Sequence, residues 1–153
     1  MDAAIVNSFV DALVTILETY SVGDIKACKP FLKKSPNAFG DISGMIKLSG
    51  EFEGSVAVTF LADCILGVVS NMFGEEMTEV NDEIKDAVGE MVNMMAGQVN
   101  TKMTELGKSL KAELNTVNMG KNHTVDHISG CPVITMPYKS NAGNFVLEVC
   151  FDE

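Results

Sequence analysis

Between Ile84 and Thr101 the chain sets a carboxylate, Glu90, and an amide, Asn93, three residues apart within a stretch of helical periodicity. On an α-helix, residues i and i+3 are surface neighbours, so these two groups face the same way. A carboxylate so placed can pair with a cation. An amide donates and accepts at once, and can hold a water molecule in one orientation. Advancing roughly 100° per residue from Asp86, Ala87, Val88, Met91, Val92, Met94, Met95, Val99 and Met103 fall on one arc, the predicted core face. Asp86, Gly89, Glu90, Asn93, Ala96, Gly97, Asn100 and Thr101 fall on the other, predicted to be exposed. Gly89 and Gly97 stand four residues either side of Asn93, although a glycine inside a helix costs about 0.5–1 kcal/mol relative to alanine. The result is a strip of nearly bare backbone beside Asn93. Spacing alone assigns that strip either to a crossing helix of the same chain or to a partner protein that meets Asp86, Gly89, Gly97 and Asn100.

The elements that must carry this face follow from periodicity. Ile5, Phe9, Leu13, Ile16 and Leu17 predict a helix from Ala3 to Tyr20. Pro30 and Pro36 bracket a stretch that reads as loop or irregular edge. Asp41–Leu48 and Gly54–Phe60 alternate as strands joined by a hairpin. Asp63 is placed to cap a short helix that runs to Phe73 and stops at Gly74. Thr78–Leu106 is the longest helical pattern, closed by Gly107, with strands predicted at Leu110–Asn118, Val133–Tyr138 and Asn144–Phe151. Asp11–Glu18 matches Asp86–Asn93 in its apolar and polar positions, and Ile42-Ser43-Gly44 returns as Ile128-Ser129-Gly130. Together these echoes suggest a pseudo-twofold αββ-type repeat.

Length and charge narrow the function. A chain of 153 residues with 46% apolar and 21% charged residues has the proportions of one folded domain. Eleven basic against twenty-one acidic residues leave a net charge of −10, which disfavours nucleic acid and anionic membranes. No run reaches the roughly 18 uncharged apolar residues of a membrane span. Met1-Asp2-Ala3-Ala4 has no basic leader region, so the four scattered cysteines are expected to be reduced thiols in the cytoplasm.

Other constellations are weaker. His123 and His127 stand at i, i+4, but Gly120 and Gly130 bracket a poor helix, so the pair reads as surface polar residues and no metal site is expected. Met91, Met94, Met95 and Met103 read as deformable core packing. No serine sits in a nucleophile elbow, and no phosphate loop or dinucleotide fingerprint is present.

The segment Ile84-Lys85-Asp86-Ala87-Val88-Gly89-Glu90-Met91-Val92-Asn93-Met94-Met95-Ala96-Gly97 resembles the ExxN helix of the CheC/CheX/FliY phosphatases of bacterial chemotaxis. Asn7-Ser8-Phe9-Val10, Gly40-Asp41-Ile42-Ser43-Gly44, Ile46-Lys47-Leu48-Ser49-Gly50 and Gly54-Ser55-Val56-Ala57-Val58 agree with it. Relatives of the CheC type carry two such helices. Here the positions equivalent to Glu90 and Asn93 are Thr15 and Glu18, so the chain is similar to CheX and keeps one site. The resemblance implies an α/β (α+β) fold, long helices packed on an antiparallel sheet, with dimers formed through strand edges. It implies a phosphorylated CheY-type response regulator as substrate, with Asn93 holding the attacking water and Glu90 pairing with the receiver's lysine. It asks for no cofactor or metal from this chain, because Mg²⁺ arrives with the receiver. The alternative it leaves open is a module that binds a two-component signalling protein without turnover.

Overall fold

The computed structural model describes residues 2–151. Helix α1, Ala3–Thr19, starts where the Asp2 carboxylate accepts the Ala4 N–H at 2.8 Å, and it buries the apolar series that the spacing predicts. Two short strands follow in the proline-flanked stretch, β1 at Lys26–Ala27 and β2 at Phe31–Leu32. Strands β3, Ile42–Gly50, and β4, Gly54–Phe60, form the expected hairpin. Helix α2, Ala62–Phe73, ends at Gly74 with φ +70°, a left-handed conformation that glycine adopts without side-chain strain. Its start differs from expectation. Asp63 does not cap it, and the Ala62 N–H instead donates to the Asp41 carboxylate at 2.7 Å, a cap supplied across the fold.

The long helix α3 spans Asp82–Glu105 and begins at Asp82 rather than Thr78. Asn81 sets that start by accepting the Glu83 and Ile84 N–H groups, both at 3.1 Å. Strands β5, Leu110–Met119, β6, Ile134–Lys139, and β7, Phe145–Phe151, complete the order. The described strands pair antiparallel in the sequence β1-β6-β7-β4-β3-β5, with β2 also against β6.

That order is a palindrome when β4 exchanges with β7, β3 with β6, and β5 with the β1/β2 pair. With α1 packed on α3, the two halves are α1-β1/β2-β3-β4 and α3-β5-β6-β7. The repeat is therefore αβββ rather than αββ. Its extra strand escapes a reading by periodicity because Pro30, which has no N–H to give a ladder, falls between the two-residue pieces β1 and β2. Ile128-Ser129-Gly130 is not the counterpart of Ile42-Ser43-Gly44. It lies in the β5–β6 connection, and the partner of β3 under the exchange is β6.

Alternation along the strands separates two faces. Val56, Val58, Phe60, Leu147 and Val149 turn toward the helices and share a core with Phe9, Ile16, Val88 and Val92. Ser55, Ala57, Thr59 and Glu148 turn the other way. They are buried there by the chain around Lys33–Ala38 and by the β5–β6 connection. α3 can lie close on the sheet because β3 offers it a glycine: a Cβ on Gly44 would stand 2.5 Å from Val92 Cγ2. Among the described residues, no helix is long and apolar enough to cross a membrane.

Candidate functional site

Val92 is pressed onto Gly44, so its neighbour Asn93 points away from the sheet. Asn93, Glu90 and Asp86 are all exposed on the outer face of α3, and Gly89 is half-buried. Together with Lys85, they form one wall of an open groove of about 410 Å³, whose other wall is Leu114 and Val117 of β5. Among the described residues, no internal hydrogen bond or ion pair engages the Glu90 carboxylate or the Asn93 amide. The charge of one and the paired donor and acceptor of the other are left for something that enters the groove.

Leu114 and Val117 join the site through a register shift. Leu114 pairs with Ile46 and Thr116 with Met45, so β5 carries one extra residue, Asn115, at a bulge. The bulge brings Val117 onto the same side as Leu114. A strict alternation read from sequence puts these two on opposite faces, so the apolar wall was invisible there.

The bare strip is not a helix crossing. A Cβ on Gly97 would meet nothing within 4 Å, and one on Gly89 would meet only Val117 and Leu114 at 3.7 and 3.9 Å, ordinary contact distances. Internal packing thus tolerates alanine at both positions, and neither glycine is required by the fold.

Three expectations for α3 need correction. Met94, placed on the core arc, is 39% exposed, while Ala96, placed on the outer arc, is 2% exposed. Strand β5 lies along the Gly89 and Asn100 side of the helix, where Ala96 also falls, and this turns the buried arc toward that strand. Asn100, expected to meet a partner, has its amide fully engaged at home. It accepts the Ala112 N–H at 2.7 Å and donates to the Ala112 carbonyl at 2.8 Å. On α1, the equivalent positions Thr15 and Glu18 are both exposed, but Thr15 brings no charge and Glu18 no amide.

The opposite face of the sheet holds a polar network that sequence reading missed. The His127 side chain is 5% exposed rather than at the surface; its Nδ1 lies 2.8 Å from Ser55 Oγ and its Nε2 2.9 Å from Glu148 Oε1. Lys33 Nζ reaches both Glu148 oxygens at 3.0 and 3.1 Å, with side chains 3% and 0% exposed. Ser55 Oγ also accepts the Ile128 N–H at 3.1 Å, and because the Glu148 carboxylate only accepts, Nε2 donates to it. His123, also expected at the surface, is half-buried, with Nε2 2.7 Å from Ser43 Oγ.

The order Ser–His–Glu has the connectivity of a hydrolase triad, yet Ser55 is 0% exposed and no substrate can reach its hydroxyl. A cleft of about 390 Å³ nearby includes Lys33 and His127 in its lining, but both are committed to Glu148. Among the described residues, no three His, Cys, Asp or Glu side chains are grouped to hold a metal ion. The four cysteines are free. Burial, with the Asp63 carboxylate beside it, pushes the Cys64 thiol up to about 12, so it stays protonated and inert. In the groove on α3, by contrast, the Glu90 and Asn93 side chains are exposed and uncommitted.

Comparison with known proteins gives the family and the fold. Residues 42–139 match the family model described as chemotaxis phosphatase CheX. The CheY-P phosphatase CheX of Thermotoga maritima is 29% identical over 123 residues, which cover 80% of this chain and 79% of that one. Among solved structures, a CheC-like superfamily protein from Shewanella sp. PV-4 is 35% identical and superposes with a TM-score of 0.89 over 100% of both chains. The CheX–CheY–BeF3–Mg²⁺ complex from Borrelia burgdorferi contains a chain that shares the fold at 21% identity, with a TM-score of 0.77 over 97% of each.

Proposed function

The chain belongs to the CheX family of chemotaxis phosphatases, and from that premise we propose that it hydrolyses the aspartyl phosphate of a CheY-type response regulator through Glu90 and Asn93. The observation that carries this reading is the pair itself: a carboxylate and an amide one turn apart, exposed, without internal partners, on a glycine-flanked face of α3. Support also comes from the relatives, one named a CheY-P phosphatase and another solved together with CheY, BeF3 and Mg²⁺.

An aspartyl phosphate is an activated acyl phosphate that already reacts with water. The protein has only to place that water and the groups around it. The Asn93 amide accepts one water hydrogen and donates to the water oxygen's lone pair, aiming it in line with the bond from phosphorus to the aspartyl oxygen. Glu90 pairs with the receiver's lysine, which fixes α3 over the phosphoryl pocket. Asp86 and Gly89 edge the approach, and Gly97 lets the receiver's backbone come close about three turns further along α3 from Asp86. The Mg²⁺ belongs to the substrate, and the reading requires no metal ligand from this chain. One domain suffices for the whole activity, which takes place in the cytoplasm where such receivers act. If copies pair through sheet edges, β5 is the long edge on offer.

Timing phosphate release from a panel of phosphorylated CheY-type receivers tests the proposal. Acceleration of at least one supports it, and uniform inertness sinks it. Glu90→Ala is expected to raise KM about tenfold or more, the loss of a charge-assisted contact, and to lower kcat as well. Unchanged capture of the phosphorylated receiver by this variant would remove the pairing role. Gly97→Ala is expected to stabilise the fold by about 0.5–1 kcal/mol in urea denaturation, while it raises KM by placing a methyl group in the strip. A methyl that left KM alone would mean that no partner comes close there.

A further inference from the structure

We infer that Asn100 is a positioning residue for the reaction proposed above, and that it sets the rotation of α3 by occupying the outward backbone groups of strand β5. The inference rests on the Glu90 and Asn93 reading and extends it to a residue that does not touch substrate.

β5 is the edge of the sheet, and its residue Ala112 stands opposite Leu48 of β3. In an antiparallel ladder the N–H and C=O of one residue point to the same side. Both groups of Ala112 are taken by the Asn100 side chain, at 2.7 and 2.8 Å, so they face outward from β3. Asn100 thus supplies at one point what a neighbouring strand would supply, and it does so from the helix that carries the site.

This link matters because the rest of the α3 seat is apolar and non-directional. Val88, Val92, Met95 and Val99 fill the space above the sheet, with Val92 seated on Gly44, and such contacts limit a roll of the helix without the directionality of a hydrogen bond. The bidentate amide is directional. Asn93 and Asn100 are seven residues apart, about two turns, so they leave the helix in nearly the same direction. Whatever fixes the azimuth of Asn100 also fixes that of Asn93. With an outer radius of about 5–6 Å, a roll of about 10° moves a side-chain tip by about 1 Å. A misplacement of that size can cost about 10²-fold in rate.

The test is steady-state hydrolysis of a phosphorylated CheY receiver by wild type, Asn100→Ala and Asn100→Asp, at a temperature where circular dichroism shows each to be folded. Asp keeps the shape and an acceptor for the Ala112 N–H but loses the donor to its carbonyl, which covers the case where Ala fails to fold. The expected result is a kcat at least about tenfold lower with KM within about twofold, together with a shifted, faster-exchanging Ala112 amide by NMR. A purely structural role would move the amide and the melting temperature but leave kcat intact, and that result overturns the inference. Wild type without activity on any receiver overturns the parent reading, and this inference with it.

Discussion

Asn93→Ala is expected to abolish stimulated dephosphorylation, with a loss of about 10²-fold or more, while leaving the protein as stable as wild type or slightly more so. The two halves of that expectation come from the same geometry. The Asn93 side chain is exposed and has no internal partner among the described residues, so its removal breaks nothing in the fold. Alanine is also the better helix former by a few tenths of a kcal/mol. What disappears is a group that accepts and donates to one water at once, and no neighbour replaces it: Glu90 only accepts, and Leu114 and Val117 are apolar. Phosphate release and thermal melting measured on the same preparation check both halves. A variant that keeps its activity would dispose of the water-positioning role, even if Glu90 proved essential.

Lys33→Met is expected to give the largest stability loss, about 3–5 kcal/mol, because it leaves the Glu148 carboxylate buried without its cation. Glu148 is 0% exposed, and its remaining partner is His127. The same logic predicts that the double variant Lys33→Met with Glu148→Gln recovers part of the loss, since the stranded charge is then gone. Urea midpoints of the three proteins provide the cycle. The phosphatase activity of the folded fraction should not change, because the network lies on the sheet face opposite α3. A single variant as stable as wild type would mean that water reaches Glu148 and shields it.

The helix that bears Glu90 and Asn93, its strong apolar stripe and the two glycines beside Asn93 were legible in the chain, because helical period and side-chain type are local properties. The corrections have a common origin. Ser55 lies 72 residues from His127, His127 21 from Glu148, and Lys33 115 from Glu148, so no spacing rule links them. The cap of α2 comes from Asp41, twenty-one residues upstream, whereas a cap is sought next to the helix it serves. Periodicity also treats α3 as having one buried side. Strand β5 extends it to the Gly89 and Asn100 side, where Ala96 lies, and this is why Ala96 is inside and Met94 outside.

Local order along the chain was enough to specify the helices, the main strands, the resemblance and the pair that the proposed chemistry needs. Three-dimensional packing alone decided whether that pair is exposed and without internal partners among the described residues. It showed that Gly89 and Gly97 meet no crossing helix, that a bulge at Asn115 brings Val117 beside Leu114, and that Asn100 belongs to β5 rather than to a visitor. The physical reason is range. Propensity, capping and periodicity act over a few residues, whereas burial and hydrogen-bond commitment depend on which distant segments come to lie against each other.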